Sequence, residues 1–139
     1  MFLLDTNVLS VLMRAQPPPE VAAWMSAQPP DLLFTAAVCQ AEILAGPAAL
    51  PEGRRRSELE ATARAMFLEE FGGRVLPFDT VAAEGYAEIF AARRRAGRPV
   101  ATIDLMIAAI ARAHGARVVT RNVTDFEVCD VPIVNPWSG

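Results

Sequence analysis

Residues 1–10 read MFLLDTNVLS, and the fold turns on them. Met1 to Leu4 form an apolar run too short for a helix, which suits a short buried strand. Asp5 stands where that run ends. Two small polar residues follow, Thr6 and Asn7, and then Val8, Leu9, Val11 and Leu12 at helical spacing. Thr6 or Asn7 is the expected N-cap of that helix. A strand that passes into a helix through an acid places a carboxylate at the strand's carboxyl end.

The alternation continues along the chain. The Pro17-Pro18-Pro19 run breaks the first helix, and Glu20 to Ala27 is predicted as a second, stopped by Pro29-Pro30. Leu32 to Phe34 suits a strand, and Thr35 is expected to cap a helix over 36–45 that Gly46 stops. Arg54 to Phe71 reads as one long amphipathic helix, and Arg74 to Leu76 as a strand. Asp79 is the expected cap of a helix over 80–96, and Thr102 that of Ile103 to His114. Arg117 to Thr120 and Pro132 to Val134 read as the last strands. Short strands alternating with helices predict right-handed βαβ units, hence an α/β fold with a parallel sheet and helices on both faces. The linker-like stretches, Gln16 to Pro19, Gly46 to Gly53 and the tail from Asn135, are too short to divide the chain. One domain over 1–139 is expected.

At 139 residues, with 53% hydrophobic content and a mean hydropathy of +0.26, the chain can bury a core without disulfides or a structural metal. No apolar run reaches the roughly 18 residues of a membrane helix, and no basic segment precedes the first apolar run. A cytoplasmic protein with no membrane association is expected. Cys39 and Cys129 are too few for a disulfide framework and lack metal-ligand spacing. Net charge is −3, and all 13 basic residues are arginine. The absence of lysine excludes P-loop nucleotide hydrolysis, Schiff-base chemistry and receiver-type phosphotransfer. Arginines cluster at Arg54 to Arg56 and at Arg93 to Arg95 with Arg98. Such clusters are either solvated helix faces or forks for phosphates. The single His114 suits a helix C-terminus. Trp24, Tyr86 and Trp137 read as core or interface residues rather than base-stacking platforms.

Ligands of open parallel sheets sit outside the carboxyl ends of the strands. Asp5 lies there, and so do Arg121, Asn122, Thr124 and Asp125 in the segment VVTRNVTDFE. In TAAVCQAEILAG, helical spacing puts Glu42 on one face with Val38, Ala41 and Ala45, and a glutamate buried there requires a partner or a metal. In ATIDLMIAAIARAHG, Asp104 falls in the first turn of a helix whose later residues are almost all apolar. Each acid also has a plain structural reading: Asp5 as a helix cap, Glu42 as an edge residue, Asp104 as a first-turn acid, Asp125 as the side chain closing an Asx-turn. Together they would repel in one pocket, and Mg²⁺ or Mn²⁺ relieves that repulsion. A bound cation of this kind activates water and steadies phosphodiester oxygens. Asp5 is then a metal ligand held by the strand behind it. Thr6 and Asn7 cap the helix and hydrogen-bond the ligand or its water.

These stretches, with LPFD and the terminal NPW, run from Leu3 to Trp137 in an order and spacing that resemble a PIN domain. The likeness is to the VapC toxins of bacterial toxin–antitoxin pairs, in their FitB-like branch. The resemblance implies a PIN-like three-layer α/β/α fold with a short, mostly parallel central sheet. It implies a Mg²⁺-dependent endoribonuclease, with Mn²⁺ able to substitute, serving as the toxin of a type II pair. Matched position by position, Asp5, Glu42 and Asp104 are the core acids, with Asp5 and Asp104 as metal ligands. The fourth acid falls where this chain has Asn122 and Asp125. Asn122 brings no charge, so Asp125 is carried as the fourth catalytic acid. Thr6 and Thr120 match polar residues near the site. The implied partners are an RNA substrate, a second copy of the chain, and an antitoxin with an N-terminal DNA-binding part, assembled as a homodimer or a larger toxin–antitoxin complex. A non-catalytic PIN-like module, repressing transcription with a DNA-binding partner, is the alternative. A haloacid-dehalogenase-like phosphatase also opens on a strand and an aspartate, but it needs a second aspartate where Asn7 stands, and a later lysine.

Overall fold

The computed structural model describes residues 1–138; Gly139 lies outside the described residues. The central sheet has five parallel strands in the order β3-β2-β1-β4-β5: β1 Phe2–Leu4, β2 Leu33–Ala36, β3 Val75–Leu76, β4 Arg117–Val119 and β5 Ile133–Val134. Seven α-helices connect and flank them: α1 Thr6–Leu12, α2 Pro19–Ala27, α3 Ala37–Ala48, α4 Arg54–Ala65, α5 Thr80–Arg95, α6 Thr102–His114 and α7 Val123–Glu127. The result is the expected three-layer α/β/α arrangement. Leu3 and Leu4 of β1 and Val118 and Val119 of β4 are fully buried, as strands covered on both faces must be. Ile107 to Ala111 of α6, Val8 and Leu9 of α1, and Phe126 of α7 complete the centre of the core.

β1 pairs with β2 on one side and with β4 on the other. The chain winds outward from β1 through β2 to β3, then returns to place β4 on β1's free edge. The connections therefore diverge between β1 and β4, and that divergence opens a crevice at the carboxyl ends of these two strands.

Several local readings shift. Asp5, not Thr6 or Asn7, is the N-cap of α1, its carboxylate accepting from the Thr6 N–H at 2.7 Å. Thr35 caps nothing: it lies in β2, fully buried, and its hydroxyl donates to the Leu4 carbonyl at 2.9 Å. α3 runs through Gly46 and Pro47 to Ala48. Thr102 is the first residue of α6 rather than its cap, which is Ala101. The Arg54 to Phe71 helix is α-helical to Ala65 and continues as a π turn over Met66–Glu70. Asp125 lies in the short helix α7, not in an isolated turn.

Candidate functional site

The crevice between β1 and β4 is built around Asp5. β1 carries it to the sheet edge, where its N–H continues the ladder to the Val119 carbonyl at 3.0 Å. Only 4% of Asp5 is exposed. The Thr120 hydroxyl, fully buried at the end of β4, donates to Asp5 Oδ2 at 2.8 Å. Asn7, the second residue of α1, offers its amide to the same oxygen at 3.3 Å and to Thr120 Oγ1 at 3.2 Å. Thr120 Oγ1 in turn accepts the Asn122 N–H at 2.9 Å. Burial raises the pKa of Asp5 above its ordinary value. The Thr120 and Thr6 hydrogen bonds oppose that shift, and the nearby Glu42 adds to it. Beneath it, burial and the Asp5 charge push the Cys39 thiol up to about 12, so Cys39 is a small apolar neighbour rather than a ligand.

Asp104 comes from the first turn of α6, where aligned peptide dipoles favour a negative charge. Desolvation outweighs the dipole, and Asp5, Asp125 and Glu42 add repulsion, so the carboxyl is held at about 6. Asn122 binds both flanking acids: its Nδ2 donates to Asp104 Oδ2 at 3.3 Å and to Asp125 Oδ2 at 2.8 Å. Glu42 is brought to the site from α3, but it is exposed and not buried, because α3 leaves Ala41, Glu42 and Ala45 uncovered. The Thr6 hydroxyl donates to Glu42 Oε1 at 2.5 Å and so ties α1 to α3. Beside this pair an open groove of about 440 Å³ runs along α1, α3 and α4, lined by Met13, Ile43, Pro47 and Leu59 among others.

Asp5, Thr6, Asn7, Glu42, Asp104, Thr120, Asn122 and Asp125 thus belong to one hydrogen-bonded or electrostatically coupled set, whereas Thr124 is exposed outside it. The arginine cluster at Arg54 to Arg56 does not join it: Arg54 and Arg56 pair with Glu58 and Glu60 along α4, each at 2.9 Å. Two contributors had no site signal in the sequence: Thr35, expected only as a helix cap, and Cys39. Arg121, which the sequence puts at the carboxyl end of β4, lies between Thr120 and Asn122 at the rim.

The donor set is all oxygen and carries negative charge with no ion-pair partner among the described residues. That chemistry fits a hard divalent cation. Among the described residues no three acidic, histidine or cysteine side chains gather tightly enough to enclose a metal by themselves. The fit is therefore to an ion of the Mg²⁺ type, which takes one or two carboxylates and completes its shell with water or phosphate oxygens.

A parallel α/β/α sheet with carboxylates at its switch point defines the structural class. The PIN domain model matches residues 2–130, so the chain belongs to the PIN-domain family. It is 41% identical over 137 residues to VapC ribonuclease Y4jK of Sinorhizobium fredii, covering 99% of this chain and 98% of that one. It is 37% identical over 137 residues to Toxin FitB of Neisseria gonorrhoeae, covering 99% of each chain. Among solved structures, FitAcB from Neisseria gonorrhoeae superposes with a TM-score of 0.91 at 37% identity, covering 99% of both chains. DNA-bound VapBC from Salmonella typhimurium superposes at 0.84 with 26% identity and 97% of both chains covered. Ribonuclease toxin activity is the general role of this group.

Proposed function

We propose that the protein is a divalent-metal-dependent endoribonuclease, the toxin of a VapBC-type toxin–antitoxin pair, with Mg²⁺ as its working cation and Mn²⁺ as a substitute. The observation that carries this reading is the buried Asp5 carboxylate, held by Thr120, Thr6 and Asn7 beside an Asp104 whose pKa lies near 6, with no cation paired to either.

Asp5 and Asp104 would hold the cation. When bound, it acidifies water and offsets negative charge on a phosphodiester. Thr120, Asn7 and the Thr6 N–H fix the Asp5 carboxylate, which leaves it little freedom to swing away from the crevice. Glu42, exposed and steadied by Thr6, faces solvent at the edge of the site and serves as the acid nearest an incoming water or leaving group. Asp125 acts at the opposite edge, with Asn122 as the neutral spacer that separates it from Asp104.

The partner reading rests on the relatives. Solved neighbours are toxin–antitoxin complexes, one of them FitAB on a DNA fragment. By likeness, this chain pairs with an antitoxin bearing an N-terminal DNA-binding part, assembles as a homodimer and acts in the cytoplasm. The groove lined by Met13, Ile43, Pro47 and Leu59 offers apolar surface for a partner segment beside Glu42. No helix among the described residues is long and apolar enough to cross a membrane.

The test is cleavage of total RNA by the purified, antitoxin-free protein in Mg²⁺, in Mn²⁺ and in EDTA, beside Asp5→Asn prepared identically. Cleavage that needs metal and disappears in the variant is the expected result. A folded wild-type protein that cuts no RNA, while Asp5→Asn still arrests growth, would favour the non-catalytic repressor instead.

A further inference from the structure

We infer that Arg121 is a phosphate-binding residue for the RNA substrate, and that Trp137 is the positioning residue that aims it. The inference rests on the nuclease reading and names one contact that reading lacks.

Position comes first. Arg121 lies between two residues of the site: the Thr120 hydroxyl is on Asp5, and the Asn122 amide is on Asp104. Its own N–H is fixed to Asn7 Oδ1 at 3.3 Å, so its Cα cannot drift from the rim. The side chain is exposed, where an approaching strand can reach it.

Charge comes second. Arg54, Arg56 and Arg112 are each paired to a glutamate. Among the described residues Arg121 has no such carboxylate. Its guanidinium lies instead over the Trp137 ring, 5.2 Å from the centroid. Stacking on an aromatic face holds a guanidinium without consuming its N–H donors, so the fork remains available to an anion. A free arginine would have to be ordered on binding, whereas this one is ordered beforehand.

Trp137 is itself anchored. It packs against the core, and its N–H donates to Asn135 Oδ1 at 3.0 Å. The terminal NPW segment thus has a task that core packing alone does not require. A cation beside a carboxylate crevice, held off those carboxylates by a ring, suits a phosphate flanking the one being cut.

The test uses the full-length protein and a fluorescein-labelled single-stranded RNA that it cuts in Mg²⁺. Binding is followed by anisotropy in Ca²⁺ over a range of salt. Losing one phosphate contact lowers the slope of log affinity against log salt by about 0.7, which is about fivefold weaker binding near 0.1 M salt. Arg121→Gln is expected to show both changes. Trp137→Leu is expected to weaken binding while keeping the wild-type slope, because the charge remains. Trp137→Phe restores most of the affinity, and Trp137→Leu adds nothing in the Arg121→Gln background. An Arg121→Gln protein with wild-type slope and affinity overturns the inference, as do additive effects of the two changes. So does an Arg121→Gln protein that loses only its hold on the antitoxin, since that places the guanidinium in the partner interface. A wild-type protein that neither binds nor cuts RNA overturns the nuclease reading as well, so the two failures are distinguishable.

Discussion

Two regions of this molecule concentrate charge, and they treat it in opposite ways. Along α4, Arg54 and Arg56 pair with Glu58 and Glu60 one turn away, and both pairs lie in contact with water. Charge there is satisfied locally, within one helix, and exposed pairs of this type contribute little to stability. At the ends of β1 and β4 the chain does the reverse. It sets Asp5 against a fully apolar strand, brings Asp104 and Asp125 near it, and supplies hydroxyls and amides but pairs no cation with these acids. Neutral donors can orient a carboxylate but cannot cancel its repulsion from a neighbour. Charge left unpaired in a crevice therefore marks where something must arrive from outside.

The largest effect is expected from Asp104→Asn. Removing the acid should reduce RNA cleavage by at least about a hundredfold, the upper end of what losing a supporting residue around a metal costs. The metal-free melting temperature should stay level or rise, because a repelling charge has gone. Wild-type cleavage rates would mean that the unpaired acids are as structural as the α4 charges.

Melting the protein with and without Mn²⁺ tests whether the crevice acids lack a counter-charge. A cation that binds only the folded chain adds about 2.7 kcal/mol at a hundred times its Kd, a shift of several degrees. A melting temperature that ignores Mn²⁺ would break the reading of the crevice. The same experiment has a pH dependence of known sign. The Asp104 carboxyl is raised from 3.8 to about 6 by burial and repulsion, so the folded chain holds that proton more tightly than the unfolded chain. Metal-free stability from this group is fullest below its unfolded pKa and is lost as pH rises through about 6. Mn²⁺ affinity should move the other way and strengthen over the same interval, because the metal and the proton compete.

The smallest effect belongs to α4. Arg56→Ala should cost under about 1 kcal/mol in chemical denaturation and leave RNA cleavage unchanged. A large loss of cleavage would show that the cluster does touch RNA.

The sequence revealed the strand-then-acid step at Leu4–Asp5 and the second polar cluster after β4, since both rest on local apolar runs. Those two features alone place the crevice, because a parallel sheet permits only one end for its ligands. What escaped depended on partners distant in the chain. Glu42 sits on a face whose periodicity looks buried, yet spacing describes a face and does not say whether anything covers it. Thr35 has the chemistry of a cap, but its hydroxyl is already given to Leu4 across the sheet. Gly46 looks like a stop, but α3 extends two residues past it. Arg121 and Trp137 meet only because β5 returns the tail to the rim, which no local pattern announces.

The strand order β3-β2-β1-β4-β5 also fixes when the crevice can form. Thr120, which fastens Asp5, comes 115 positions after it in the chain. The edge of β1 that receives β4 stays open until that late strand has left the ribosome, whatever the earlier segments have done. A nascent chain can display Asp5, Glu42 and Asp104 and still have no assembled crevice. Whatever chemistry the crevice performs therefore waits on β4, the strand that closes it.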